Sequence, residues 1–335
     1  MTQAASVTAD ARPCGFAASR PILYSILVTI AAVATFAYLV RTNGVFACQA
    51  RGYADDRYLA YCGATGYGDY DHGAFWFGRE PAAARSAVRA QVLFIGNSRL
   101  QFAFSTRATN EWFEANHARY YLLGFAYNED HLFASELLRK LQPTADIYVI
   151  NLDGFFGNNL TKPAQTVMQD GAALRRYRAK GEWQQAHHLI CGPVPGICGN
   201  QLAYFRSRTT GAWIAAGGSM LPKPTSTDPL VDSQQVVQYV DAAREFLNHL
   251  PLPRACVILT TVPTVHGRDA TASAVAAALG MPLYTPPIEG LQTFDESHLD
   301  PRSAERWSSA FLEAAGPAIL KCLHRSSEFA GRAPE

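Results

Sequence analysis

Between Ile22 and Val40 the sequence reads ILYSILVTIAAVATFAYLV, without a charge and with only Ser25, Thr29, Thr35 and two tyrosines as polar breaks. As a helix this run is about 28 Å long at ~1.5 Å per residue, close to the ~30 Å hydrocarbon core of a bilayer. A cleavable leader has a shorter apolar stretch with small residues soon after it. Here the run closes on Tyr38-Leu39-Val40-Arg41, so residues 21–41 read as an uncleaved transmembrane anchor and residues 1–20 as a cytoplasmic tail. A buried core helix is the competing reading, and charge-free runs of this length are rare in soluble domains.

Positive charge does not orient the span, because Arg12 and Arg20 precede it while Arg41 and Arg51 follow. Cysteine does. Only Cys14 precedes the span; Cys48, Cys62, Cys191, Cys198, Cys256 and Cys322 follow it. Cys48/Cys62 and Cys191/Cys198 are close in sequence, in Gly-, Pro- and Tyr-rich stretches where loop closure is easy. An even count so spaced suits disulfides in an oxidising compartment. The expectation is a single-pass inner-membrane protein with its bulk in the periplasm. His187 and His188 near Cys191 and Cys198 offer a zinc alternative, which needs four ligands and competes with thiol pairing. No metal is expected.

Charge is balanced, with Lys+Arg 29 against Asp+Glu 28. The basic stripe of a nucleic-acid binder is missing, so nucleic acid is not an expected partner. Residues 42–90 (including GYGDYDHGAFWFG) have no clear period and read as a lead-in of loops. From Gln91 the texture alternates strand and helix: strands over 92–96, 120–125, 147–152, 255–262 and 281–285, and helices over 106–117 (capped by Ser105), 128–142, 232–250, 270–279 and 301–320. Residues 160–230 carry helical pieces and no clear strand, and 321–335 read as a C-terminal tail. Such alternation predicts an α/β fold of three layers, α/β/α, around a parallel sheet over 91–320.

Ligands of such sheets bind beyond the carboxyl ends of the strands. Gly96-Asn97-Ser98-Arg99 lies there, directly after the first strand, where a sharp turn presents the Ser98 hydroxyl. A helix-capping serine is the plainer alternative. Asp295-Glu296-Ser297-His298-Leu299 lies just ahead of the last helix. A carboxylate three residues before a histidine in a turn can hold its Nδ1, leaving Nε2 to take a serine proton. The other histidines do not cluster. His72, in Asp69-Tyr70-Asp71-His72, reads as part of a polar turn, and His117, His131, His249 and His324 as surface or packing residues. Phosphate-loop, dinucleotide and H-E-x-x-H motifs are missing, so no cofactor is expected.

A serine after the first strand with D-x-x-H-L before the final helix resembles the SGNH/GDSL hydrolase superfamily over residues 91–320. The resemblance implies Ser98 as nucleophile, His298 as general base and Asp295 as its orienting carboxylate. It implies an oxyanion hole from Ser98, Gly124 after the second strand, and a third-block side chain, Asn151 or Asn159. The chain departs from the pattern twice. It has Gly-Asn-Ser where the type motif has Gly-Asp-Ser, and its third block is Asn151-Leu152-Asp153-Gly154, then Gly157-Asn158-Asn159, rather than Gly-x-Asn-Asp. Membrane-tethered accessory proteins of polysaccharide O-acylation often lack that block too. The resemblance therefore implies a periplasmic acyltransferase that moves an acyl group, expected to be acetyl, through a Ser98 ester to a polysaccharide hydroxyl. Its implied partners are a glycan acceptor, a multispan membrane acyl donor and the inner membrane. An esterase of the same fold and a non-catalytic glycan- or partner-binding module are the competing readings.

Overall fold

A computed structural model describes residues 21–42, 44–158, 160–218, 221–250 and 256–330. The tail expected over 1–20, with Cys14, lies outside the described residues, as do Asn159 and residues 331–335. In chain order come helix α1 (Pro21–Thr42), strands β1 (Arg57–Cys62) and β2 (Gly68–Asp69), helices α2 (Asp71–Trp76) and α3 (Pro81–Arg89), strand β3 (Val92–Asn97), helices α4 (Ser98–Phe104) and α5 (Arg107–Ala115) and strand β4 (Tyr120–Phe125). Next are α6 (His131–Leu141), β5 (Ile147–Asn151), α7 (Lys162–Gln169), α8 (Ala173–Cys191), β6 (Ala203–Ser207), β7 (Trp213–Ala216) and β8 (Lys223–Pro224). The chain closes with α9 (Ser233–Asn248), β9 (Val257–Thr260), α10 (Asp269–Leu279), β10 (Leu283–Tyr284), β11 (Gln292–Thr293) and α11 (Pro301–Ala330).

The five strands read from the sequence form one parallel sheet in the order β10-β9-β5-β3-β4. Alternate side chains of a strand point to opposite faces. Val92 and Phe94 of β3 join Val149, Ile258, Trp307 and Phe311 under α4, α5 and α11. Leu93 and Ile95 join Ile150, Leu259, Phe246 and Val275 under α6, α9 and α10. Both faces are covered, as runs of wholly buried strand residues require.

Two stretches read as irregular turn out to be ordered together. Strand β1, inside 42–90, pairs antiparallel with β6, inside 160–230, in a second sheet ordered β2-β1-β6-β7. The lead-in of loops is thus half of a small sheet. Its strands are short, and the β1–β6 pairing that joins the local pairs β1–β2 and β6–β7 links segments far apart in the chain. The cap of α5 is Thr106, whose Oγ1 accepts from Thr109 N–H at 3.1 Å, and not Ser105, whose hydroxyl accepts from Trp213 N–H at 2.6 Å. Helix α11 runs ten residues past the expected stop, to Ala330, because Ile319 and Cys322 keep its apolar face in the core beyond Pro317.

Helix α1 is long and apolar enough to cross a membrane, with a mean hydropathy of 1.8 over Pro21–Tyr38 and none of that stretch buried. Cys48–Cys62 and Cys191–Cys198 pair, with Cα–Cα separations of 5.9 and 5.8 Å. His187 lies beside the second pair, but its ring nitrogens already meet Tyr53 Oη (2.9 Å) and Cys48 O (3.2 Å). Burial pushes its pKa down to about 4. With both sulfurs bonded to each other, this cluster holds no set of free ligands for zinc. Cys256 and Cys322 are buried and in neither disulfide.

Candidate active site

Strand β3 passes into helix α4 with no intervening residue. Asn97, still extended, caps the helix: its Oδ1 accepts from Arg99 N–H at 3.0 Å. Its Nδ2 donates to Asp153 O at 2.7 Å. An asparagine can accept at one end and donate at the other, which an ionised aspartate cannot. Gly-Asn-Ser here is therefore matched to the carbonyl at the end of β5. Gly96 and Gly124 are opposite one another in β3 and β4, and a Cβ on Gly124 would fall 2.5 Å from Asn97 O.

Ser98 and His298, 200 residues apart, meet at the sheet edge: His298 Nε2 lies 2.8 Å from Ser98 Oγ. His298 Nδ1 lies 2.7 Å from Asp295 Oδ2. Asp295 Oδ1 accepts from the backbone N–H groups of His298 (2.9 Å) and Ser297 (3.1 Å), which fixes the carboxylate in its own turn. Burial would raise the Asp295 pKa, but the hydrogen bond and charge of His298 and the two N–H groups outweigh it and hold it below the usual carboxylate range. The Phe294 ring stacks on the imidazole at 5.4 Å between centroids and Phe102 meets it edge-on at 4.8 Å. Both Ser98 and His298 are buried, at 4% and 9% exposure. With its proton on Nδ1, facing Asp295, the ring offers Nε2 as acceptor for the serine hydroxyl. A hydroxyl so paired can be activated as a nucleophile.

The expected oxyanion donors divide. Ser98 N–H, in the first turn of α4, has no acceptor within its own helix. Asn151 ends β5 fully buried, its Nδ2 only loosely held at 3.4 Å from Asn97 Oδ1. Gly124 is a correction. Its N–H donates to Gln101 Oε1 at 2.9 Å and its carbonyl accepts from the buried Arg206 guanidinium, so the amide is spent inside the sheet. Gln101 went unnoticed in the sequence. Its signal is position, one turn after Ser98 on a helix that is otherwise apolar inward, where a buried amide must find partners. Arg99 and Asp153 were missed as well. They form an ion pair, and Arg99 Nε donates to Ser297 Oγ at 3.0 Å, bracing the Asp295–His298 turn against β5.

A second Asp-x-x-His lies elsewhere. His72 Nδ1 is 2.9 Å from Asp69 Oδ1 and its Nε2 is 2.7 Å from Glu129 Oε2, with the ring fully buried. Thr161 and Tyr177 hydroxyls donate to Glu129 and Asp69 in turn. Burial opposes charging His72, but Asp69 and Glu129 overcome it and raise its pKa to about 10. His72 thus anchors β2, α2 and the segment before α6, rather than a polar turn at the surface.

No protein-family profile, curated protein or solved structure matches this chain.

Proposed function

We propose that this chain is a membrane-anchored acyltransferase of the SGNH type, working on the periplasmic side and passing an acyl group, most simply acetyl, from a donor to a glycan hydroxyl. One observation carries the reading: Ser98 Oγ, His298 and Asp295 stand in an unbroken hydrogen-bonded line at 2.8 and 2.7 Å. The anchor helix and the two disulfides support its setting. In the first half-reaction Ser98 Oγ attacks the acyl carbonyl as His298 Nε2 takes the hydroxyl proton. Collapse of the tetrahedral intermediate breaks the donor C–O bond, and His298 returns the proton to the departing alcohol. In the second half a sugar hydroxyl attacks the Ser98 ester, His298 takes its proton, and that proton goes back to Ser98 Oγ as the ester breaks. Asp295 holds the tautomer and stabilises the imidazolium throughout. Ser98 N–H and Asn151 Nδ2 are the donors we assign to the oxyanion.

The test is to supply the full chain in detergent with an activated acetyl ester and a panel of glycan oligomers. Donor consumption should rise with the right glycan and acetyl should appear on the sugar, both lost in Ser98→Ala. Fast acetate release with no glycan ever acetylated would assign the esterase reading instead.

A further inference from the structure

Beyond the carboxyl ends of β5 and β9 lies a cavity of about 370 Å³, floored by Leu152 and Val262 and walled by polar side chains. Ser98, Asp295 and His298 do not line it. Arg99 does, and Arg99 is also the residue that follows Ser98 and donates to Ser297 in the histidine turn. Arg99 therefore borders the cavity and the histidine turn of the triad at once. This is where open α/β sheets take their ligands, and the volume is at the small end of ligand cavities, about 300–1,000 Å³.

Its chemistry is that of a site for hydroxyl groups. The two arginines are already matched: Arg99 by Asp153, and Arg268 by Asp232 at 4.0 Å and by Gln235 Oε1 at 2.9 Å. Neither is left to balance an incoming anion. Asp269 borders the cavity too and is in no ion pair among the described residues, so a carboxylate or sulfate entering it would meet a like charge. Asp269 is half-buried with Oδ1 held by Thr261 Oγ1 at 3.1 Å, and burial raises its pKa. Tyr239 offers a half-buried ring whose hydroxyl accepts from Gln235 Nε2 at 3.2 Å. Oriented acceptors, oriented donors and one aromatic ring, with no unpaired cation to draw in an anion, recognise a neutral polyol ring.

We infer that this cavity binds an uncharged pyranose unit of the acceptor glycan, next in the chain to the unit that receives the acyl group at Ser98. The inference rests on the acyltransferase reading for its purpose, but its binding claim stands on the cavity alone. The measurement is ligand-observed NMR on the full-length Ser98→Ala chain in micelles, with methyl glucoside, galactoside and mannoside against methyl glucuronoside. At least one neutral glycoside should bind and the uronide should not. Adding Asp269→Asn or Tyr239→Ala should weaken that binding about tenfold, the scale of a lost hydrogen bond to a charged group, with the thermal midpoint recorded to show that the fold is kept. Tyr239→Phe should retain most of the ring's share. Binding of the uronide as tightly as the neutral sugars, binding indifferent to both cavity variants, or no binding of any glycoside would each overturn the inference. The two proposals fail separately. Wild-type chain that cleaves an activated ester through Ser98 yet binds no sugar sinks only the cavity, and sugar binding without Ser98-dependent cleavage sinks only the enzyme.

Discussion

The chain folds the same four-residue pattern, Asp-x-x-His, twice, and the two copies end in opposite states. In both the aspartate reaches the histidine Nδ1, at 2.9 Å in Asp69–His72 and 2.7 Å in Asp295–His298. The difference is what faces Nε2. At His72 it is a second carboxylate, Glu129, so both nitrogens must carry protons and the ring is a buried cation between two anions. At His298 it is the hydroxyl of Ser98, which, unlike a carboxylate, can donate to an unprotonated Nε2. A local motif sets the first hydrogen bond of a histidine. The long-range partner decides whether the ring is a structural charge or a base.

The comparison can be broken most sharply at the serine. Ser98→Ala and His298→Ala should each cut turnover of an activated ester by about 10⁴-fold or more, since such residues act as a unit, with unfolding midpoints nearly unchanged. Full turnover in Ser98→Ala would strip the His298 copy of its catalytic assignment. Asp295→Asn should come next, at about 10³–10⁴-fold, through the wrong tautomer. Its pH-rate profile should change along with its rate, because a merely structural aspartate would not alter the tautomer of His298.

His72→Ala should act on stability instead. Removing one member of a buried ion cluster leaves its partners unpaired, at a cost of about 3–5 kcal/mol, read from denaturant midpoints. Activity per folded molecule should stay unchanged. The same cluster gives the protein a pH signature. His72 titrates near 10 when folded and near ~6.5 when unfolded. Its contribution is therefore complete below about 6.5 and is lost as pH rises through about 10. Asp69 is held below its ordinary value: burial opposes this, but the charge and hydrogen bond of His72 prevail, aided by Lys180 and Tyr177. Its contribution is lost as acid protonates it. Stability should fall on both sides of mildly acidic pH, and equal midpoints at pH 6 and pH 10 would remove the buried imidazolium. The smallest effect is expected at Cys48–Cys62, which closes a separation of 14 residues. Replacing both by alanine should cost about 2–4 kcal/mol, and non-reducing peptide mapping should find that bridge and the Cys191–Cys198 bridge, with Cys256 and Cys322 reactive only on unfolding.

The parallel sheet was legible because its strands are continuous apolar runs set between amphipathic helices, a pattern written within each segment. The meeting of Ser98 with Asp295 and His298 was legible because a serine directly after the first strand and an Asp-x-x-His before the last helix come in the order that the resemblance implies. What did not show was pairing at a distance between segments with weak local signals. Strand β1 is half of a sheet whose other half begins at Ala203. Glu129, which turns His72 into a cation, carries no marker in its own neighbourhood. Gln101 escaped for a related reason: its amide competes with any ligand for the Gly124 N–H, and only the packing of α4 against β4 shows that it is close enough to do so.

A membrane-spanning α1 would have a mechanical consequence. Helix α1 ends at Thr42, and by Cys48 the chain is covalently bound into β1 through Cys62. Gly44–Ala47 fold as a short 3-10 helix with Val45 and Ala47 buried in the body, so no long leash separates α1 from the rest of the protein. With α1 in a bilayer, the body would be held close against the lipid surface. A flexible insert after Thr42 would free the sheet edge to stand further from the membrane, without touching a side chain of the site.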